Sequence, residues 1–378
     1  MSHDFLPPSS RRLSRKRFLQ LGASAGLTAA GAVLLQACSP GQQAAPAAAP
    51  AQKPAGPTSA PAAKPAASPA RSLLKVRFVG TQGALGDWAP YVAQERKLFE
   101  EEGVDLEYNS LGSQPAVTNA LISGQADVAV SSITTVISAA LTGAPMKLCM
   151  ATQMATPQGK YNNWWCAAPG AGIEKPADVV GKKIHIFAPN SLAQVVTRTV
   201  LRKHGVLPGQ YEELNFTFDQ AYTAIKTGRA DVGLFIEPFY TNSNKLARSE
   251  YGGRELPVIY TMLDAFPNGM HLAGMLANTN FMAQNGEAMR RLLRAQSRAA
   301  RWGLDHPEET KRIIAKYAQV PYENIQDMIL AEHSVDGKWL PGFLRQLQEY
   351  MITEQTVANL TEPLPDERIS ETAFLPTV

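Results

Sequence analysis

The chain has 378 residues, 45% of them hydrophobic, enough to fill two globular domains once any non-globular portion is set aside. Its net charge is +3, but Arg11, Arg12, Arg15, Lys16 and Arg17 against Asp4 place +4 in the first 37 residues and leave −1 on the remainder. The basic balance therefore belongs to the leader and gives no argument for a nucleic-acid partner.

Residues 1–37 read as an export signal. Ser14-Arg-Lys-Arg-Phe-Leu-Gln20 resembles the twin-arginine export motif, with Lys16 in place of the second arginine, so the export route stays open. Leu21 to Leu35 is long enough for a signal core and too short to span a bilayer. The stretch ends in Leu35-Gln-Ala-Cys38, which resembles a lipobox with Cys38 as the lipid-bearing residue. Gly22-Ala-Ser-Ala-Gly26 fits G-x-S-x-G but does not lie between a strand and a helix, as a hydrolase elbow must. Residues 38–72, rich in Ala and Pro with little to bury, read as a solvated tether.

The first lobe begins at residue 73 and runs to 160. Leu73 to Gly80 reads as a strand, Ala89 to Glu102 as one amphipathic helix closed by Gly103, and Val104 to Tyr108 as a second strand. Ser113 and Pro115 suit the start of a helix that ends at Gly124. A strand from Asp127, a helix over Ile133 to Leu141 and a strand over Met146 to Met150 follow.

Residues 151–172 mix loop formers with aromatics and suit the first crossing into a second lobe over 161–265. There Lys175 to Asp178 opens a short helix, Lys183 to Ala188 and Glu213 to Phe218 read as strands, and Ser191-Leu-Ala-Gln194 fits a capping box for a helix to His204. Residues 266–359 return to the first lobe, with helices expected over 287–304, 308–317 and 340–359, and 360–378 form a tail.

One near-repeat organises the whole. Ala-Leu-Ile-Ser-Gly124-Gln-Ala-Asp127-Val and Ala-Ile-Lys-Thr-Gly228-Arg-Ala-Asp231-Val each close a helix at glycine and turn at once into an apolar strand. Two such units imply two α/β lobes, each with a mainly parallel sheet covered by helices. Ligands of open α/β sheets bind beyond the carboxyl ends of the strands, which places the site between the lobes.

Catalytic and metal signatures are lacking: the six histidines are scattered, and neither H-E-x-x-H nor a P-loop occurs. The crevice segments offer Gln82, Asp87, Trp88 and Tyr91, then Ser113 and Gln114, Ser131 and Ser132, Asn190 and Ser191, and Glu237. Tyr161, Trp164 and Phe235 add aromatic faces able to stack on a planar ring. Ser113 and Ser191 serve equally as helix caps without a ligand. No arginine or lysine lies in these segments to clamp an anion, which favours a neutral or amino-bearing aromatic ligand. Cys149 and Cys166 are either a disulfide pair or two buried thiols.

Ala89-Pro-Tyr-Val-Ala-Gln-Glu-Arg-Lys-Leu-Phe-Glu-Glu-Glu-Gly-Val-Asp, Ser123-Gly-Gln-Ala-Asp-Val-Ala, Ala177-Asp-Val-Val-Gly-Lys-Lys-Ile and Gly228-Arg-Ala-Asp-Val-Gly-Leu-Phe-Ile-Glu-Pro together resemble the NMT1/THI5-like and sulfonate- and taurine-type solute-binding proteins of ABC importers. The resemblance covers residues 73 to about 359. It implies a type II periplasmic-binding fold, two α/β lobes joined by a two-segment hinge, and a monomer that delivers a small molecule to a membrane permease and its ATPase. It implies no enzyme activity, cofactor or metal, with an extracytoplasmic location and anchoring through Cys38. The family's ligands include vitamin-precursor pyrimidines, riboflavin, sulfonates and nitrate; the loop chemistry here favours a pyrimidine- or flavin-like compound. The alternatives are a sulfonate- or nitrate-type receptor, or an enzyme on the same fold. For the latter, the cysteine-rich motif of THI5 pyrimidine synthases is missing, while a chorismate dehydratase-like enzyme shares the fold.

Overall fold

The computed structural model describes residues 73–81 and 85–377. The export signal, Cys38, the tether and Gln82 lie outside the described residues.

Leu74–Thr81 (β1) and Val104–Leu111 (β2) run parallel along their whole lengths. The single helix expected between them is two, Ala89–Glu95 (α1) and Leu98–Glu101 (α2), parted by Lys97 at φ 58°. The break lets α1 lie on the later helices of the lobe while α2 turns onto β2, burying Leu98 and Phe99. Gln114–Ile122 (α3), Val128–Ser132 (β3), Ile133–Leu141 (α4) and Met146–Ala151 (β4) follow as the sequence predicts.

The chain leaves this sheet through a short strand, Gln153–Ala155 (β5), and enters a second sheet at Trp164–Ala167 (β6). The sequence places the first crossing in 151–172 without marking a strand there, yet β6 is buried at all four positions and its two tryptophans face opposite ways. Trp165 stacks on Tyr260 and donates its indole N–H to the His185 carbonyl at 3.1 Å, while Trp164 stacks on Tyr240 at 4.0 Å. Lys183–His185 (β7), Leu192–Lys203 (α5), Glu212–Leu214 (β8), Ala221–Lys226 (α6) and Val232–Phe235 (β9) complete most of the second lobe. β7 and β8 are shorter than expected.

Phe239–Glu250 (α7) has no counterpart in the sequence reading. Its buried face is Ser243, Asn244 and Ala247, too polar to show an apolar period, and Asn244 Oδ1 is satisfied by the Leu256 N–H at 2.9 Å.

Val258–Thr261 (β10) and Met262–Ala265 (α8) lead back through Met270–His271 (β11) to Ala273–Asn278 (β12), then Thr279–Gln284 (α9), Gly286–Asp305 (α10) and Pro307–Ala318 (α11). Glu332–His333 (β13), Phe343–Thr353 (α12) and Asp366–Ile369 (α13) end the chain. One sheet has the order β2-β1-β3-β12-β4 and the other β10-β6-β9-β7-β8. A third, β11-β5-β13, joins the two crossing segments to each other. α12 meets α5 of the second lobe, where Glu354 at its end accepts Arg202 at 2.8 and 2.9 Å.

The near-repeat is structural. Gly124 (φ 73°) and Gly228 (φ 71°) take the left-handed turn, after which Ala126 and Ala230 donate to Ala120 and Ala224. Asp127 accepts the Arg77 N–H of β1, and Asp231 the Lys183 N–H of β7, each at 2.8 Å. In both lobes the aspartate thus ties the start of a strand to its parallel neighbour.

Cys149 on β4 and Cys166 on β6 are free, fully buried thiols in different sheets, and burial pushes both up. Among the described residues no helix is long and apolar enough to cross a membrane, and no three metal-ligating side chains converge.

His185 is buried between β9 and the segment after β8. Its Nδ1 accepts the Leu234 N–H at 3.3 Å and its Nε2–H donates to the Phe216 carbonyl at 2.8 Å, so both nitrogens are committed in the neutral ring. Burial lowers its pKa to about 4, and those of His271 and His333 likewise. Between about 6.5 and 4 the unfolded chain binds these protons and the folded one does not, so stability falls as pH falls through that window, by up to about 3 kcal/mol per histidine. Denaturant melts between pH 7 and pH 4 should show this decline; a flat profile in that range would contradict it.

Candidate functional site

The site forms where β1, β2 and β3 end, under the short loop 85–88. Three contacts hold that loop to the crossing sheet and its approach. The Trp88 indole N–H donates to the Ala331 carbonyl at 3.1 Å, and its ring lies against His333 at 4.3 Å. His333 Nε2 sits 2.8 Å from the Gly86 carbonyl and, as the N–H, donates to it. Gly86 lies close under Gln153: a Cβ there would fall 2.1 Å from the amide nitrogen and push that side chain aside. That amide in turn donates to the Tyr161 hydroxyl, carrying the contact from β5 into the crossing segment.

Asp87 is thereby aimed into a cavity of about 10 Å³, walled by Phe78, Pro90 and Val130 and edged by Thr81 and Tyr108. Gly80 makes room for the phenol: a Cβ on β1 here would meet the Tyr108 oxygen at 2.4 Å. Asp87 keeps some exposure as a residue, but its Oδ1 is closed off from solvent and has no hydrogen-bond partner among the described residues. The Thr81 hydroxyl, on the same cavity, is in the same condition. Burial raises the Asp87 carboxyl to about 7. Tyr91, Tyr108 and Tyr161 all feel its charge, and burial raises each of their hydroxyls above the usual value.

The other expected site residues divide clearly. Tyr91 and Tyr161 belong to this surround. Ser131 and Gln114 are together but satisfy each other at 2.7 Å, and Ser132 bonds Thr134 at 3.0 Å. Ser113 and Ser191 cap α3 and α5, accepting from Ala116 and Gln194. Asn190 takes φ 61° and donates its N–H to the Gln194 side chain, the arm that a capping box would direct to Ser191 itself. Trp88 and Phe235 are fully buried, so neither presents a ring to a ligand. Trp164 has one face taken by Tyr240.

Glu237 is buried, with Thr241 donating its hydroxyl to the carboxyl at 2.8 Å; burial raises its pKa, opposed by the Thr241 and Ile329 bonds. It caps α7, whose own N-cap, Pro238, offers no side-chain acceptor. The sequence reading missed Thr81, Tyr108 and Gln153. Thr81, as the last residue of β1, could have been found from the rule that sites lie at strand carboxyl ends; the other two depend on contacts between distant segments.

Lobes of this build, with two paired crossing strands, define the periplasmic-binding-protein class. The solved structures agree. The periplasmic aliphatic sulphonate-binding protein SsuA from Escherichia coli is 18% identical, with TM-score 0.62 over 80% of this chain and 94% of its own. The periplasmic nitrate-binding protein NrtA from Synechocystis PCC 6803 is 14% identical, with TM-score 0.62 over 80% and 87%. The desulfurization enzyme DSZB is 14% identical, with TM-score 0.57 over 80% and 97%. No curated protein matches the sequence. The family described as NMT1/THI5 like matches residues 88–310, and the chain belongs to it.

Trp88 fills space against Gly303, where a Cβ would approach its ring to 2.2 Å. Trp88→Ala should lower the unfolding free energy by about 3–5 kcal/mol, as expected for a buried aromatic. Chemical denaturation checks this; a normal midpoint with reduced ligand affinity would instead make Trp88 a stacking residue.

Proposed function

We propose that this chain is the solute-binding receptor of an ABC importer, working outside the cytoplasm and held near its permease by a lipid on Cys38. The carrying observation is the small sheet in which β5 pairs with β11, so that the two segments joining the lobes are hydrogen-bonded to each other. Membership of the NMT1/THI5-like family and the likeness to the sulphonate- and nitrate-binding proteins support the same reading.

The ligand is a small nitrogen-bearing heteroaromatic solute of the pyrimidine or flavin kind. Tyr108, partly exposed, gives the cavity an aromatic edge, and no arginine or lysine lines it among the described residues. A sulfonate or nitrate there would face the Asp87 carboxyl instead of a guanidinium, which disfavours the anionic reading despite the fold neighbours. An enzymatic role is the second reading, because DSZB shares the fold.

Thermal melts with added aminopyrimidines, riboflavin, taurine and nitrate test both points. A receptor gains stability as RT ln(1 + [L]/Kd), about 2.7 kcal/mol at a hundredfold excess over Kd, and releases its compound unchanged. Recovery of a converted product would overturn the receptor reading, and stabilisation by nitrate or taurine alone would overturn the heteroaromatic ligand.

A further inference from the structure

We propose that the cavity at Asp87 and Thr81 is a subsite for one protonated amino group of the ligand, which makes the solute a cation or an amino-substituted ring that binds as one. This rests on the receptor reading above and names the chemistry of its ligand.

Size is the first argument. A space of about 10 Å³ admits one water-sized group and no ring, so it takes the tip of a solute whose remainder lies outside. Chemistry is the second. Asp87 and Thr81 both line this space, and each has an oxygen, Oδ1 and Oγ1, that is closed to solvent and has no partner among the described residues. Tyr108 lines the space too and donates its hydroxyl to Tyr91 at 3.5 Å, so its oxygen can still accept, and with Asp87 and Thr81 it can supply three acceptors for the three donors of an ammonium group. A carboxylate left without a partner in an apolar wall is unfavourable until a cation arrives. A nitrate or sulfonate would bring only acceptors to acceptors.

The surroundings leave Asp87 as the one group here that titrates near neutrality. Tyr91 from α1, Tyr108 from β2 and Tyr161 from the crossing segment have hydroxyls raised above their usual range by burial, and His333 of β13, bonded to the Gly86 carbonyl, is neutral above about 4. The ammonium binds the ionised carboxyl, so affinity is lost as pH falls through about 7.

Wild-type, Asp87→Asn and Thr81→Val proteins are incubated with a small-molecule extract of yeast, washed and denatured, and the released compounds are identified by mass spectrometry. The compound retained by wild type should carry a basic nitrogen. Its affinity should fall at least about 30-fold in Asp87→Asn and about tenfold in Thr81→Val, as for buried charged hydrogen bonds. Below pH 7 wild-type affinity should drop about tenfold per unit, while Asp87→Asn shows no such slope. Both substitutions are nearly isosteric, and the melting temperature of ligand-free Asp87→Asn at pH 8 should exceed that of wild type, because the buried charge is gone. A retained compound without a basic nitrogen, equal retention by Asp87→Asn, or a ligand-loaded crystal structure with only a water in the cavity would overturn the subsite and leave the receptor standing. Retention of nothing by any of the three proteins would overturn both.

Discussion

Three residues, Gln153–Ala155, are hydrogen-bonded on both edges, to β11 on one side and β13 on the other, and the arrangement of the site follows from that pairing. β5 leaves the first sheet directly after β4, and β11 enters it directly before β12, so the crossing strands continue a pair that already exists inside the lobe. The third strand, β13, brings His333 under Gly86, and β5 itself brings Gln153 over the same glycine. Residues 86–88 are therefore held by the crossing sheet, and with them the direction of Asp87. Gln153 and, through β13, His333 are the side chains that link β5 to Gly86, the residue before Asp87.

How much of this was legible in the sequence depended on how far apart the interacting residues lie. The G-x-A-D-V repeat was legible because nearly all its bonds are local: the left-handed glycine, the alanine N–H returning to its own helix, the strand that starts at once. α4 was found end to end because its apolar residues recur with a helical period. α7 was not, since its buried face is small and polar, and β6 was not, since two adjacent tryptophans among asparagines carry no period of two that would announce a strand buried on both faces. The two α/β lobes were legible from the repeat alone; the antiparallel entries of β6, β10 and β12 were not, because register between distant strands leaves no local mark.

The candidate site divides in the same way. The sequence indicated polar groups at strand ends and helix starts, and several of those indicated are satisfied by near neighbours, Ser113 and Ser191 as caps and Glu237 by Thr241, while Ser131 is satisfied by Gln114 of the preceding helix. A polar residue four or fewer positions from a free backbone N–H usually finds it, which makes such residues poor evidence for a ligand when read from a chain alone. Asp87 stands apart because the cavity it faces is walled mainly by β1, β2 and β3, with Pro90 the one lining residue close to it in sequence. What sets it off is what its immediate neighbours fail to supply.

That failure has a thermodynamic meaning. Moving a carboxyl from an ordinary value of 3.8 to about 7 corresponds to roughly 4 kcal/mol at about 1.4 kcal/mol per unit, a large share of the stability of a typical domain. The sign follows from proton binding: between those values the folded chain holds the proton and the unfolded chain does not, so this one group weakens the ligand-free fold as pH rises, opposite to the three buried histidines. A fold keeps such a group only if the surrounding packing offsets it, and here Trp88, the tyrosines and the crossing sheet do so. A positively charged group entering the cavity would remove the penalty and gain a short-range attraction in a poorly solvated setting. The loop that presents the carboxyl is bound, through Trp88 and Gly86, to the same small sheet that pairs the segments joining the lobes.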